Sequence, residues 1–336
     1  MKPLNFALIG AGRFGKHYIR LLKTNKKARL AAVCTKTNES LREISNTLPK
    51  NTIKTNDVDF VLKNQKIDCA IIATPLSTHY ELALKTIKEG KHVLLEKPMV
   101  QTLPQAKKLS TAIKKSGVTF MVGHQYVYND YINYIKAANE KNFFGQPKFF
   151  IAEHLYFGKT RNGVSCFWDA GTHQLSVLLY LFNPGKITSV SGQSIDISGL
   201  GFDNFTAATI TFENNLAASL LVSSLSPHKT RKFAIIGDSG SAFFDDCAQK
   251  QKLELFKNAF PKTIKQFGKK IFAAKKIQSI KQKINENEPL KNQLEHFIYC
   301  VKNKKMPKTG IDESIVVTKW LQEISRKIKL PAKKVF

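Results

Sequence analysis

Six residues near the start, Gly10-Ala11-Gly12-Arg13-Phe14-Gly15, restrict the fold more than any other part of this chain. They follow the apolar run Leu4–Ile9 and open a helix-period stretch, Phe14–Lys23. In such a strand-to-helix turn each glycine meets a separate steric demand. The first makes the tight turn, the second lets backbone approach a pyrophosphate, and the third lets helix and strand pack closely. A glycine-rich turn without a ligand has the same composition. Its place inside repeating strand–helix units favours a dinucleotide.

Further apolar, partly β-branched runs recur at Leu30–Thr35, Ile67–Ala73, Val93–Leu95 and Val118–Val122. Helix-period stretches separate the later ones, at Thr78–Glu89 and Leu103–Lys115, and Gly90 and Gly117 stand where those helices should end. The alternation predicts βαβ units and a parallel sheet, and runs without polar alternation suit strands covered on both faces. After Gly123 the pattern changes. One helix is expected over Tyr128–Lys141 and another over Leu175–Phe182. Between and after them Lys148–Tyr156, Ile187–Ile197, Phe205–Phe212, Ala217–Leu225, Lys232–Ile236 and Ala242–Phe244 read as successive strands. Strands in succession predict an antiparallel sheet. The expected fold is therefore α/β over residues 1–122 and α+β over residues 123–336.

No run of eighteen apolar residues occurs, so no membrane-spanning helix is expected, and the apolar start is too short for a secretory signal. Cys34, Cys69, Cys166, Cys247 and Cys300 are odd in number, scattered and never spaced C-x-x-C. That argues against a disulfide framework or a zinc site, and fits a reducing cytoplasm with no metal. The charge is the unusual quantity: 53 Lys and Arg against 25 Asp and Glu leave +28. A polyanionic partner such as nucleic acid or a membrane surface would account for it. Lysine spread over solvated helix faces with few interleaved aromatics accounts for it equally and is preferred. Eleven lysines with one acid, Glu254, are concentrated between Lys250 and Lys283, a segment read as a helix or a mobile insertion.

Four places carry candidate chemistry. Glu96-Lys97-Pro98 closes the run His92–Leu95, and a charged pair at the end of a buried strand is costly unless it is used. Ligands of such sheets bind outside the carboxyl ends of the strands, which aims Lys97 and Glu96 at a cofactor. The tip of the second strand reads Thr35-Lys36-Thr37, where a carboxylate would hold the ribose 2′-hydroxyl of NAD. A cation with hydroxyls suits a 2′-phosphate instead, so NADP is favoured unless Lys36 is merely solvated. Ala73-Thr74-Pro75-Leu76-Ser77-Thr78-His79 either faces the cofactor or simply caps the next helix. In Asp169-Ala170-Gly171-Thr172-His173 the acid and the imidazole stand four apart, the spacing of one helix face. Histidine suits proton exchange near neutral pH, although such a pair also occurs as a structural cap.

Taken in order, the Gly10–Gly15 turn, Ala73-Thr74-Pro75 with His79, Glu96-Lys97-Pro98, and Asp169 with His173 resemble the Gfo/Idh/MocA oxidoreductases over nearly the whole chain. Trp168-Asp169, Ser226-Pro227-His228-Lys229 and Asp245-Asp246 resemble members of lipopolysaccharide and surface-sugar synthesis. The resemblance implies an N-terminal Rossmann domain binding NAD(P) through Gly10, Gly12, Arg13, Phe14, Gly15, Thr35, Lys36, Thr74, Pro75, His79, Glu96 and Lys97. It implies a C-terminal domain built on a large open sheet that binds substrate and forms dimers or tetramers. It further implies hydride transfer between nicotinamide and a sugar carbinol carbon, the sugar being nucleotide-activated. Lys97 would contact the nicotinamide ribose and the reacting hydroxyl, His173 would be the general acid/base, and Asp169 would position substrate or histidine. His124, Tyr126, Tyr128, Tyr156 and Arg161 are candidate substrate contacts, with packing an equal role for the tyrosines and a surface acid an equal partner for Arg161. The chain departs from the pattern in lacking an acid after the second strand and after His173. Two other readings remain: glycoside cleavage by transient oxidation, and a non-catalytic basic scaffold docking through Lys250–Lys283.

Overall fold

This computed structural model describes residues 2–158, 165–257, 262–273, 278–282 and 284–329. They form two compact units: residues up to Gln125 with Glu288–Lys319, and Tyr126–Asn287 with Trp320 onward.

The first unit runs β1 (Leu4–Ile9), α1 (Gly15–Thr24), β2 (Ala28–Cys34), α2 (Asn38–Ile44), β3 (Ile53–Thr55), α3 (Val58–Lys63), β4 (Cys69–Ile72), α4 (Leu76–Lys88), β5 (His92–Leu95), α5 (Leu103–Ser116) and β6 (Phe120–Val122). All six strands are parallel, in the order β3-β2-β1-β4-β5-β6. The chain therefore winds outward from β1 in both directions, and the switch point falls between β1 and β4. Every residue of β4 is buried, as its unalternating Cys69-Ala70-Ile71-Ile72 requires of a strand covered on both sides. At the start of α5 Thr102 and Gln105 form a reciprocal capping box, and at its end Gly117 takes φ +67°.

The second unit runs α6 (Asp130–Glu140), β7 (Pro147–Phe157), a π turn (Phe167–Gly171), α7 (Thr172–Phe182), β8 (Ile187–Ile195), β9 (Phe205–Phe212), β10 (Ala217–Ser223), β11 (Leu225–Gly237), β12 (Gly240–Asp245), β13 (Leu253–Lys257), β14 (Lys262–Gln266), β15 (Lys269–Ala273) and β16 (Gln278–Lys281). Eight of these strands make one sheet, β16-β13-β12-β11-β7-β10-β9-β8, antiparallel at every pairing except β7 with β10. On β7 the even residues Phe150, Ala152 and His154 are buried, while Phe149 and Ile151 between them are 47% and 39% exposed. That period-two split gives the sheet one packed and one open apolar face. The basic segment, expected as a helix or a mobile insertion, contains no helix among its described residues. Its described part supplies β13, β16 and the separate hairpin β14–β15.

After β16 come α8 (Pro289–Asn303) and α9 (Ile311–Lys327). The first unit thus includes α8, although the sequence reading assigned everything beyond residue 122 to the second domain. Packing explains it: Phe297 lies edge-on to Phe6 at 6.0 Å, and Gln293 and Glu295 hydrogen-bond Tyr18 and Asn25. Among the described residues no helix is long and apolar enough to cross a membrane.

Candidate active site

Gly10 and Gly15 meet the steric demands their positions predict. Gly10 sits at φ +91°, and a Cβ there would stand 2.6 Å from the Ala73 carbonyl oxygen. A Cβ on Gly15 would stand 2.2 Å from the Gly10 carbonyl oxygen, so α1 reaches β1 only without one. Around Gly12, by contrast, a Cβ would find open space. Local packing gives no reason for glycine there, whereas a phosphate approaching the N-terminus of α1 does. The turn fits a dinucleotide. Arg13 is exposed beside it, and Phe14 packs edge-on to His17 and Tyr18.

The residues following four strands continue the sheet's hydrogen bonding and bring the other motifs into line with this turn. Gly10 N–H donates to Cys34, Ala73 N–H to Ile9, Glu96 N–H to Ile72 and Gly123 N–H to Leu95. Glu96 is buried and accepts from the Tyr18 hydroxyl at 2.6 Å; its other oxygen accepts from the Lys97 N–H at 3.3 Å. Lys97 is half-buried, and the Lys97–Pro98 peptide is cis. His79 is buried with Nδ1 2.8 Å from the Pro98 carbonyl oxygen and Nε2 2.9 Å from that of Thr74. Both ring nitrogens are engaged by main chain, so its contribution is to tie the Thr74-Pro75 loop to the Glu96–Pro98 loop. Pro75 is the N-cap residue of α4. At the tip of β2, Thr35 is buried with its hydroxyl on the Thr37 carbonyl oxygen, and the Thr37 hydroxyl caps α2. Lys36 is exposed.

His124 follows β6, and its Nε2 lies 3.5 Å from the Ser314 hydroxyl. Burial, and then the Lys97 cation, pushes this imidazole down to about 3. It is therefore a buried, neutral imidazole at neutral pH. The unfolded chain takes up this proton near pH 6.5, the folded chain only near 3, so stability is full above 6.5 and falls as pH drops. At pH 5 the loss from this one group is about 2 kcal/mol. His124→Gln should shrink the difference between urea midpoints at pH 7.5 and pH 5. An unchanged difference would contradict the assignment. His79, His92 and His296 are also lowered, chiefly by burial, and act in the same direction.

In the second unit a cluster forms around His173 on the first turn of α7. His154 of β7 stacks on it with rings 5.8 Å apart and 12° from parallel, and Tyr126 meets it edge-on at 5.2 Å. Tyr156, two residues along the same face of β7, lies 6.0 Å from His154. The Tyr126 hydroxyl donates to Asp246 at 3.0 Å, and Arg231 lies 3.6 Å from the same carboxylate oxygen. Burial and the Asp246 charge push this phenol well above its ordinary range, so it stays a donor. Asp169 is half-buried in the π turn, not in regular α-helix, so the four-residue spacing that suggested its pairing with His173 does not itself set their geometry. Tyr128 is buried, and Arg161 lies outside the described residues.

His154, Arg231 and Asp246 were not singled out as site residues from sequence. His154 had a usable signal: it continues the buried Phe150-Ala152 alternation, where a polar residue is conspicuous. Among the described residues no cluster of His, Cys, Asp and Glu could hold a metal ion.

Residues 4–124 match the family model described as an oxidoreductase family with an NAD-binding Rossmann fold, and residues 132–243 match the GFO/IDH/MocA C-terminal domain. The chain is 26% identical over 325 residues to scyllo-inositol 2-dehydrogenase (NAD(+)) of Bacillus subtilis, covering 92% of this chain and 90% of that protein. Over 143 residues it is 28% identical to 2,7-anhydro-N-acetylneuraminate hydratase of Escherichia coli, 43% of this chain and 37% of that one. Its fold superposes on the UDP-N-acetylglucosamine 3-dehydrogenase GnnA of Acidithiobacillus ferrooxidans with a TM-score of 0.84 at 19% identity, covering 98% and 99% of the two chains. The chain belongs to the Gfo/Idh/MocA family of NAD-binding oxidoreductases.

Proposed function

We propose that this chain is an NAD(P)-dependent dehydrogenase or reductase that moves a hydride between nicotinamide and a carbinol carbon of a sugar. We further propose that the sugar is nucleotide-activated and serves surface-glycan synthesis. The observation that carries the reading is the open, phosphate-ready space at Gly12 in the same unit as Lys97 at the end of β5. The names of the B. subtilis relative and of GnnA, a polyol and a UDP-sugar dehydrogenase, support it. The nicotinamide supplies the hydride acceptor or donor. Lys97 contacts the reacting hydroxyl and steadies the developing oxyanion, and His173 exchanges its proton. Tyr126, His154 and Arg231 offer the sugar an aromatic wall and polar groups.

The exposed Lys36, with no carboxylate at positions 35–37, supports NADP over NAD. Mass spectrometry of the co-purifying nucleotide, then turnover of a panel of UDP-sugars and inositols with each cofactor, tests the activity. NADP should bind more tightly than NAD. Lys36→Ala should weaken NADP about tenfold, as loss of a charged hydrogen bond would, and leave NAD unchanged. Equal affinities in the wild type would refute the preference. Exposed Phe149, Ile151 and Phe157 along β7 support a second copy of the chain packing on this sheet.

The hydratase relative favours one second reading, in which the nicotinamide is oxidised and reduced within a single turnover. Product would then form with no net change in nicotinamide absorbance.

A further inference from the structure

We infer that Tyr18 and Gln293 are positioning residues for Lys97, acting through the Glu96 carboxylate. The inference depends on the proposed role of Lys97 at the reacting hydroxyl.

Three elements of the first unit converge on Glu96. From α1, Tyr18 donates its hydroxyl to Oε1 at 2.6 Å, within the range of an O–H donor on a charged oxygen. From α8, Gln293 Nε2 donates to the Tyr18 oxygen at 2.8 Å, which orients the phenol toward Glu96. After β6, Gly123 leaves the room: a Cβ there would stand 2.9 Å from Oε1. The Lys97 N–H donates to the other oxygen, Oε2, so the carboxylate fixes the peptide from which the lysine side chain departs.

Stability does not account for the arrangement. Tyr18 and Gln293 show no exposed surface, and α8 buries Leu290, Leu294 and Phe297 around the glutamine. A buried polar chain in such a layer is commonly no more stabilising than apolar residues of the same shape. What it provides is orientation. A loop residue alone would leave the ammonium loosely placed, and a displacement of about 1 Å can lower a rate by about a hundredfold. The same α1 carries the dinucleotide turn at its start, so Tyr18 also refers the position of Lys97 to the cofactor end of that helix.

The test is a double-mutant cycle, using the UDP-sugar or inositol from the panel that the wild type turns over. Tyr18→Phe removes one oxygen and should lower kcat on the order of tenfold without raising the cofactor KM or changing cofactor affinity by fluorescence titration. Gln293→Met should give a smaller loss in the same direction and serves if the first variant melts early. In the Lys97→Ala background Tyr18→Phe should cause no further loss, because the group it positions is gone. Equal losses in both backgrounds, a loss confined to cofactor KM, or no loss would overturn the inference. Lys97→Ala with wild-type turnover, or no turnover of any panel member, would instead overturn the proposed function, and this inference with it.

Discussion

Lys97→Ala and His173→Ala should each lower kcat by about 10² to 10⁴, the range a positioned acid–base group supplies, while cofactor affinity changes little. Hydride cannot leave a carbinol carbon unless its hydroxyl proton also departs, and the alkoxide character that develops needs a nearby cation. Lys97 is the cation of the first unit that a sheet-end loop holds next to a fixed carboxylate, half-buried behind Glu96. His173 is held in the second unit by two rings that also touch each other, His154 stacked and Tyr126 edge-on. Such packing leaves an imidazole few alternative rotamers, which is what a proton carrier requires. Steady-state kinetics on the panel substrate, with cofactor binding measured separately, checks the prediction. Either variant turning over within about threefold of wild type would remove that residue from the chemistry.

The part of this outcome that was legible in sequence is the part governed by local sterics. Gly10 takes φ +91° and Gly15 abuts the Gly10 carbonyl five residues back, so letters at fixed spacing reveal the turn, although Ala73, which crowds Gly10, lies far along the chain. Five of the six strands of the parallel sheet were legible because burial on both faces leaves them nearly continuous apolar runs. The elements α2, β3 and α3 went unread because they are only seven, three and six residues long, too short for a period to show. Neither could α8 be assigned to the first unit, since Gln293 meets Tyr18 across 275 positions and nothing local records such a contact. Motif alone points to Lys97 and His173 as candidates, but no motif records the residues packed around them. His79, Glu96 and Thr35 are expected cofactor contacts, and in the structure each also hydrogen-bonds other residues of the chain.

Asp203→Ala should destabilise the protein by about 3 kcal/mol or more, the cost of stripping a buried acceptor from several donors at once. Asp203 lies fully buried before β9, where no periodicity marks it. One of its oxygens accepts from the Phe167 N–H at 2.9 Å, from the Thr206 hydroxyl at 2.9 Å and from the Cys166 thiol. Phe167 is the first residue of the π turn that carries Asp169 and leads directly into His173. The carboxylate thus caps, from a distant loop, the first N–H group of this turn. Gly171 completes the turn, because a Cβ there would stand 2.7 Å from the Phe167 ring. A π turn holds fewer favourable hydrogen bonds than α-helix and persists where surrounding contacts impose it. Without Asp203 the segment should relax toward regular helix and rotate Asp169 relative to His173. Asp203→Asn keeps the accepting oxygen and should cost less, about 1–2 kcal/mol, while preserving more of the activity. Urea unfolding of the three proteins, read beside kcat, separates the two effects. If Asp203→Ala unfolds at the wild-type midpoint, the buried carboxylate is not what holds the turn.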